Sequence, residues 1–516
     1  MSKSRFPPCL IAAWLLLSFG IFFYAGAFLC AALSNVPIEI FDSALRILPH
    51  FYAAQGLAIY RDFNIVYPPG IYFLYYPLRN YPLEVSNFVL SCLVLGLHLL
   101  TIRAVAGNIR GRITKILAAA FLLVLLGCGY YKFYTDMLVG ALTYAAMAWT
   151  LRGLCAPRKL SKIFLLLNSA AYAAIFILRW DRAVALFGMQ ILFLALIEIL
   201  ARKNLASPLL LSKTRRLIAA QTAGIFFASA SIATWLYLSG TLSAGLDMMF
   251  NIPLRVIGPY RKLPLKLLEP QSGFLWGTIA AYVLSIATFL QRWRGRRLRS
   301  AFHAGVLSML LPLSMLPYAL GRADLTHQMP IFCLAVLMLL HIFKHTADKN
   351  NTLVITAATS FLLFIPVLTY TTGLPDGIDE GPKAMAIYQR QCASLAKKAG
   401  DYKSVFVGRA SYKHFIASNA SLYLIDPSKP PATPFISDEP GLQNSCKYGG
   451  EIAGQLSGAP KPMLAFLELS PQFREDNLTE RMSTCGKIER FLASAHYEDL
   501  GRCNCHGYVY AVLLYK

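Results

Sequence analysis

Three runs of charged residues in this chain have the types and spacing to do chemistry, and each stands beside an apolar segment. The first is Phe41-Asp42-Ser43-Ala44-Leu45-Arg46 with His50, then Gly56, Tyr60-Arg61-Asp62-Phe63 and Tyr67-Pro68-Pro69-Gly70. On a helix Asp42, Arg46 and His50 stand at i, i+4 and i+8, one polar stripe whose end Pro49 would distort. A carboxylate within a membrane costs roughly 2.5–3.5 kcal/mol at a helix centre, so an acid kept at the membrane edge is a functional candidate. The other two runs are Arg179-Trp180-Asp181-Arg182 and Arg322-Ala323-Asp324-Leu325-Thr326-His327. Each sets cations beside an acid, and an Arg fork can grip a phosphate with two parallel hydrogen bonds. Plainer readings exist for all three: an Asp42–Arg46 pair on a solvated interfacial helix, and Trp180 with snorkelling arginines anchoring a span. His98 and His341 read as structural.

The elements that must position these residues are membrane spans. The chain has 516 residues, 56% of them hydrophobic and only 15% charged, with a mean hydropathy of +0.50, whereas soluble domains carry about 25% charged residues. Eleven stretches are apolar enough to span as helix. They are Leu10–Leu33, Val85–Ile102, Ile113–Tyr131, Met137–Leu151, Ile163–Leu178, Ala183–Leu200, Leu217–Leu238, Phe274–Leu290, Ala301–Leu320, Met329–Phe343 and Leu353–Tyr370. The first is too long for a signal-peptide core and no A-x-A cleavage site follows it, so it is expected to stay. The stretch Ile65–Leu78 is short and holds Pro68, Pro69 and Pro77, which places it at the interface as a short or re-entrant helix.

The formal charge of +23 is a topology signal rather than a nucleic-acid footprint. Residues 373–516 carry 16 Lys+Arg against 15 Asp+Glu, so almost all of the excess lies upstream. With the N-terminus in the cytoplasm, 22 basic residues fall on inner segments and 11 on the outer loops before residue 373, as the positive-inside rule requires. Asp42, Asp62, Asp136, Asp181 and Asp324 then fall outside, and so does the tail.

The expected organisation is a transmembrane part over residues 1–372, with the first outer loop at 34–84, and a small extracytoplasmic α/β domain over 373–516 after the turn-rich Thr371–Pro375. In the tail the patterns predict helices at Ala384–Lys398 and Asn477–Ser494, and strands at Ser404–Gly408, Ser421–Ile425, Met463–Leu469 and Tyr508–Leu514. Gly408 follows a strand, but no phosphate-loop pattern accompanies it. Cys392, Cys446, Cys485, Cys503 and Cys505 would meet an oxidising compartment. At least one bond among them is expected, with the Cys503-Asn504-Cys505 turn taking part, and the odd count leaves one thiol over. Eleven irregularly spaced cysteines without a pair of CxxC motifs or a Cys/His ligand ladder argue against a zinc module.

The opening span, the acid shortly after it, Tyr60-Arg61-Asp62-Phe63 and Tyr67-Pro68-Pro69-Gly70 together resemble the bacterial polytopic glycosyltransferases of the GT-C fold, a group that includes aminoarabinose transferases acting on lipid A and protein O-mannosyltransferases. The resemblance continues in Gly321–His327 and, in the tail, in Val405–Gly408 and Leu422–Leu424. It implies a polytopic α-helical GT-C-like protein of about eleven spans, N-terminus in and C-terminus out, in the inner membrane. It also implies a sugar donor on a polyprenyl phosphate, an envelope acceptor (glycolipid, polysaccharide or protein), and an Asp general base in the first outer loop. That role falls to Asp42, 14 residues before Gly56, with Asp62 second. Arg46, His50, Arg61, Tyr67, Arg179, Asp181, Arg182, Arg322, Asp324 and His327 are the implied substrate-binding residues. No DxD stands in the first loop, so neither a metal nor another cofactor is invoked. The chain departs from common family usage in Pro49-His50 and in its Cys-rich tail.

A multispanning transporter or flippase is the rival class, but internal repeats with paired broken helices are not visible. A non-catalytic scaffold gives no reason for Asp42, Arg179 and Arg322 to collect on one side.

Overall fold

A computed structural model describes residues 8–33, 40–66, 68–106, 112–127, 134–156, 158–204, 206–257, 273–293, 306–307, 309–321, 325–344, 381–413, 420–439, 441–469, 485–505 and 508–516. The chain forms two compact units. One comprises Met1–Leu33, Phe88–Ser231 and Leu265–Leu374; the other comprises Ser34–Asn87, Ile232–Pro264 and Pro375–Lys516.

The first unit is helical. Its elements include α1 (Pro8–Leu33), most of α4 (Leu83–Ala106), α5 (Arg112–Gly127), α6 (Tyr134–Cys155), α7 (Lys162–Leu178), α8 (Trp180–Arg202), most of α9 (Pro208–Leu238), α11 (Gly273–Trp293), α12 (Leu316–Gly321) and α13 (Leu325–Lys344). Five helices among the described residues are long and apolar enough to cross a membrane: Leu10–Leu29, Leu83–Ala106, Met137–Cys155, Trp180–Arg202 and Pro208–Leu238. Large apolar side chains such as Phe22, Leu166, Phe226 and Phe227 are exposed, as on helices whose outward face meets lipid.

Between helices the association is polar and close. Asn168 of α7 donates to Thr150 Oγ1 of α6 at 3.0 Å and accepts from Gln221 of α9 at 2.7 Å. At Gly224 an added Cβ would lie 2.2 Å from the Ser169 carbonyl oxygen, so only glycine lets α9 approach α7 there. Where hydrophobic burial gives no preference between lipid and protein, small residues and such bonds hold helices together. His98 of α4 bonds Tyr24 of α1 at 2.9 Å inside this packing.

Helix α9 corrects one expected boundary. It starts at Pro208 rather than Leu217 and so takes in Lys213, Arg215 and Arg216. Lys and Arg are good helix formers, and the buried Lys213 amine is used to satisfy the carbonyls of Gly153 and Leu154, at 3.3 and 3.4 Å, where α6 ends. The expected span Leu353–Tyr370 and the Thr371–Pro375 junction lie outside the described residues.

The second unit joins α2 (Ile40–Ala54), α3 (Gly70–Tyr75), a 3₁₀ turn (Tyr76–Leu78), α10 (Leu242–Leu246) and a π-helix (Asp247–Ile257) with the tail. The tail holds α14 (Gly381–Lys398), β1 (Ser404–Arg409), a 3₁₀ helix (Ala420–Ile425), α15 (Cys446–Gly458), β2 (Met463–Glu468), α16 (Lys487–Ser494), β3 (Tyr497–Cys505) and β4 (Tyr508–Tyr515). Its sheet has the order β1-β2-β4-β3. β1 and β2 pair in parallel, every residue of both is buried, and both read as near-continuous apolar runs. Strand β3 is the edge, and only Cys503 and Cys505 of it are buried, as period-two alternation demands.

Three tail expectations change. Ser421–Ile425 is a 3₁₀ helix rather than a strand, because a short apolar run has no period that separates the two. Cys503-Asn504-Cys505 lies in β3 rather than in a turn. The last helix begins at Lys487, after Gly486 at φ 59°, and residues 477–484 of the expected helix lie outside the described residues.

Candidate functional site

Helix α2 carries Asp42, Arg46 and His50 along one helix, with Pro49 inside it. The side chains of Asp42 and Arg46 lie outside the described residues. His50 is buried; Ser86 Oγ is 3.4 Å from its Nδ1, and its ring meets Phe51 and Tyr75 edge-on at 5.3 and 5.7 Å. Burial pushes the imidazole below its usual pKa, against the opposing effects of a Tyr81 backbone hydrogen bond and the Glu84 charge.

The chain leaves α2 at Gly56, where φ is +77°, a left-handed conformation that glycine adopts without strain. The Leu57 amide then donates to the Tyr52 carbonyl at 2.9 Å. Asp62 builds the next turn. Its Oδ2 accepts the Ala58 amide at 2.7 Å, and Arg61 grips the same carboxylate through Nε at 3.1 Å to both oxygens and Nη2 at 2.8 Å. Burial alone would raise this carboxyl's pKa, but the hydrogen bonds from Arg61 and Ala58 together with the Arg61 charge hold it below the usual carboxylate range. An ionised acid so engaged holds a turn well and has little basicity left for a substrate proton. Phe63 is fully buried between Tyr52 and Tyr72, with ring centroids at 5.1 and 6.1 Å. Tyr67 lies outside the described residues.

In the other unit, Arg179 breaks the path between α7 and α8 with φ −153°. Its guanidinium forks onto Asp181, Nε to Oδ1 at 3.0 Å and Nη2 to Oδ2 at 2.8 Å. This bidentate pair uses the fork that would otherwise meet a phosphate. Arg182, one residue on, is 3% exposed and its amide donates to the Arg179 carbonyl at 3.1 Å. Arg322 and Asp324 lie outside the described residues; His327 falls in α13, its side chain undescribed.

Two clusters were not legible beforehand. Asp247 opens the π-helix and accepts from Asn251 Nδ2 at 2.6 Å and from the Tyr448 hydroxyl at 3.1 Å. In the sheet, Arg409 of β1 pairs with Glu468 of β2 at 3.0 Å, with Asp438 3.9 Å from its Nε, and all three are nearly inaccessible. The in-sequence signal for the first was an acid soon after a span; for the second, only charged residues closing two apolar strands. Among the described residues no group of three or more His, Cys, Asp or Glu is placed to hold a metal ion.

A polytopic helical chain with a small four-stranded α/β sheet in its tail defines the class of protein. Among solved structures its fold is similar to that of ArnT from Cupriavidus metallidurans in the apo state. The likeness covers 97% of each chain with a TM-score of 0.55 at 11% sequence identity, and at that identity it is one of fold. No family model matches the chain, and no curated protein does either.

Proposed function

We propose that this chain is a membrane glycosyltransferase of the GT-C type that moves a sugar from a polyprenyl-phosphate donor to an envelope acceptor at the outer face of the inner membrane. The observation that carries this is the fold likeness to ArnT over 97% of both chains. It meets a first loop in whose leading helix Asp42 stands two turns before His50 in sequence. In this reading eleven spans run N-in and C-out, residues 1–372 are the membrane part and 373–516 the outer domain.

The chemistry is a displacement. Asp42 takes the proton of the acceptor hydroxyl as that oxygen attacks the anomeric carbon; the bond from that carbon to the lipid phosphate breaks, and polyprenyl phosphate leaves with the electron pair. Cations stabilise the departing charge, with Arg46, Arg179, Arg182, Arg322 and His327 the candidates. Asp181 orients Arg179, and Asp62 is held by Arg61 and Ala58.

The test is sugar transfer by purified enzyme from a panel of short-chain polyprenyl-phosphate pentoses and hexoses to extracted envelope lipid, polysaccharide and protein. Asp42→Asn should lower turnover by about 10²–10⁴-fold, the range of general-base catalysis, with the protein still folded. Asp62→Asn should reduce protein level more than turnover per molecule. Wild-type turnover by Asp42→Asn removes it as the base, and movement of intact donor across vesicle membranes without any transfer would favour a flippase.

A further inference from the structure

Within the second unit, segments far apart in sequence close a ring of contacts around the loop that follows α2. The Asn64 amide donates to the Pro434 carbonyl at 2.5 Å, and Asn64 forms an isolated parallel bridge with Phe435. Gln55 Nε2 bonds the Pro427 carbonyl. The Phe435 ring stands edge-on to Tyr448 at 6.5 Å, and the Tyr448 hydroxyl donates to Asp247 at 3.1 Å. Asn251 backs this contact, 2.6 Å from Asp247 and 3.3 Å from the Tyr448 hydroxyl. Trp235 then packs edge-on against Phe73 at 4.9 Å and lies 6.4 Å from Tyr72, which returns to Phe63.

Over residues 57–66 the loop has no helix or strand of its own: it holds the Ile59–Phe63 bridge, the Tyr60-to-Phe63 backbone bond and the turn at Asp62, and it buries Ile59, Tyr60, Phe63 and Ile65. A segment without regular structure takes its conformation from the contacts around it. The Tyr448–Asp247 bond joins positions 201 residues apart. It is charge-assisted, hence among the stronger hydrogen bonds, and it leaves from the first turn of α15, which Ser445 caps and the Cys446–Cys485 bond anchors. The acceptor side belongs to a π-helix, a form that recurs at functional sites.

We infer that Asp247 and Tyr448 are positioning residues: their bond ties the first turn of α15 to the π-helix and so steadies Phe435, which stands against Tyr448 and bridges Asn64, and through it the geometry of the loop at 55–66 that continues from α2. The catalytic part of this inference rests on the function proposed above; the mechanical part does not.

The experiment uses the full-length protein in lipid nanodiscs, as wild type, Tyr448→Phe, Asp247→Asn and the double variant, with Tyr448→Phe removing one hydroxyl only. Amide hydrogen exchange should rise about tenfold at residues 57–66 in Tyr448→Phe, as expected for loss of one charge-assisted bond, and should not change in β1 and β2. The double variant should exchange no faster than the faster single one, because both break the same contact. With the same panel of short-chain donors, kcat should fall about tenfold while the donor KM stays within about threefold, a split expected when an arrangement needed only in the transition state is lost. Unchanged exchange at 57–66 overturns the tie, and so does equal loosening of β1 and β2, since Tyr448 would then only stabilise the sheet. Local loosening with wild-type kcat overturns the positioning role. If wild type transfers no sugar, the proposed function fails instead, and the exchange result alone decides the tie.

Discussion

Arg409 is one guanidinium shared among buried acids. It lies opposite Glu468 in the β1–β2 register, bonds it through Nη1 at 3.2 Å and Nη2 at 3.0 Å, and leaves Asp438 at the longer distance of 3.9 Å. Burial pushes the Asp438 carboxyl up to about 7; Arg409 and the Tyr412 hydroxyl oppose the rise, and the charges of Glu468 and Glu439 add to it. An unfolded Asp titrates near 3.9, so between about pH 4 and pH 7 the folded state holds the proton more tightly. That contribution to stability is complete below pH 4 and is lost as pH rises through 7. Denaturant unfolding of the tail should therefore show stability falling from pH 5 to pH 8, and Asp438→Asn should flatten the slope by an amount on the order of a few kcal/mol. A slope unchanged in Asp438→Asn would assign the proton to another group.

At the scale of elements, two disulfides hold helices to the tail's edges. Cys392–Cys503 ties α14 to edge strand β3, and Cys446–Cys485 ties the first residue of α15 to the segment entering α16. Cys505, in the same strand as Cys503, is fully buried and takes part in neither disulfide. Alkylation of the native protein followed by mass analysis should find four of the five tail thiols bonded in those two pairs, with Cys505 modified only after denaturation. Replacing Cys392 and Cys503 together by Ala should cost about 2–5 kcal/mol, the usual range for a native bridge that closes a long loop. An edge strand gains most from such a pin, because only its β4 side is paired in the sheet.

For the molecule as a whole, the charge distribution makes a claim that the fold does not replace. The 22 basic residues that the proposed topology assigns to inner segments, against 11 outside, follow the positive-inside rule for an N-in, C-out chain. A reporter fused after Lys516 should be active only outside the cytoplasm, and cytoplasmic activity would invert every loop. In the second unit α2 packs against the 3₁₀ helix at Ala420–Ile425, so the segment 40–87 and the tail belong to one compact body.

The elements readable from sequence were those whose order is local. Apolar stretches satisfy their own backbone groups as helix, so α7, α8 and α13 fall close to where the runs of Ile163, Ala183 and Met329 place them. Short apolar runs likewise mark β1, β2 and β4, and positions 42, 46 and 50 do fall in one helix. The identity of partners was decided by tertiary structure alone. That Asp62 is held by Arg61 is a neighbour effect, but Tyr448 meeting Asp247, Asn64 pairing with Phe435, and Glu468 closing on Arg409 depend on loops of tens to hundreds of residues closing in one way. The 3₁₀ helix at 420–425 and edge strand β3 were missed for the same reason: a few residues carry too weak a local preference, and burial against α2, or a bond to Cys392 and pairing with β4, overrides it.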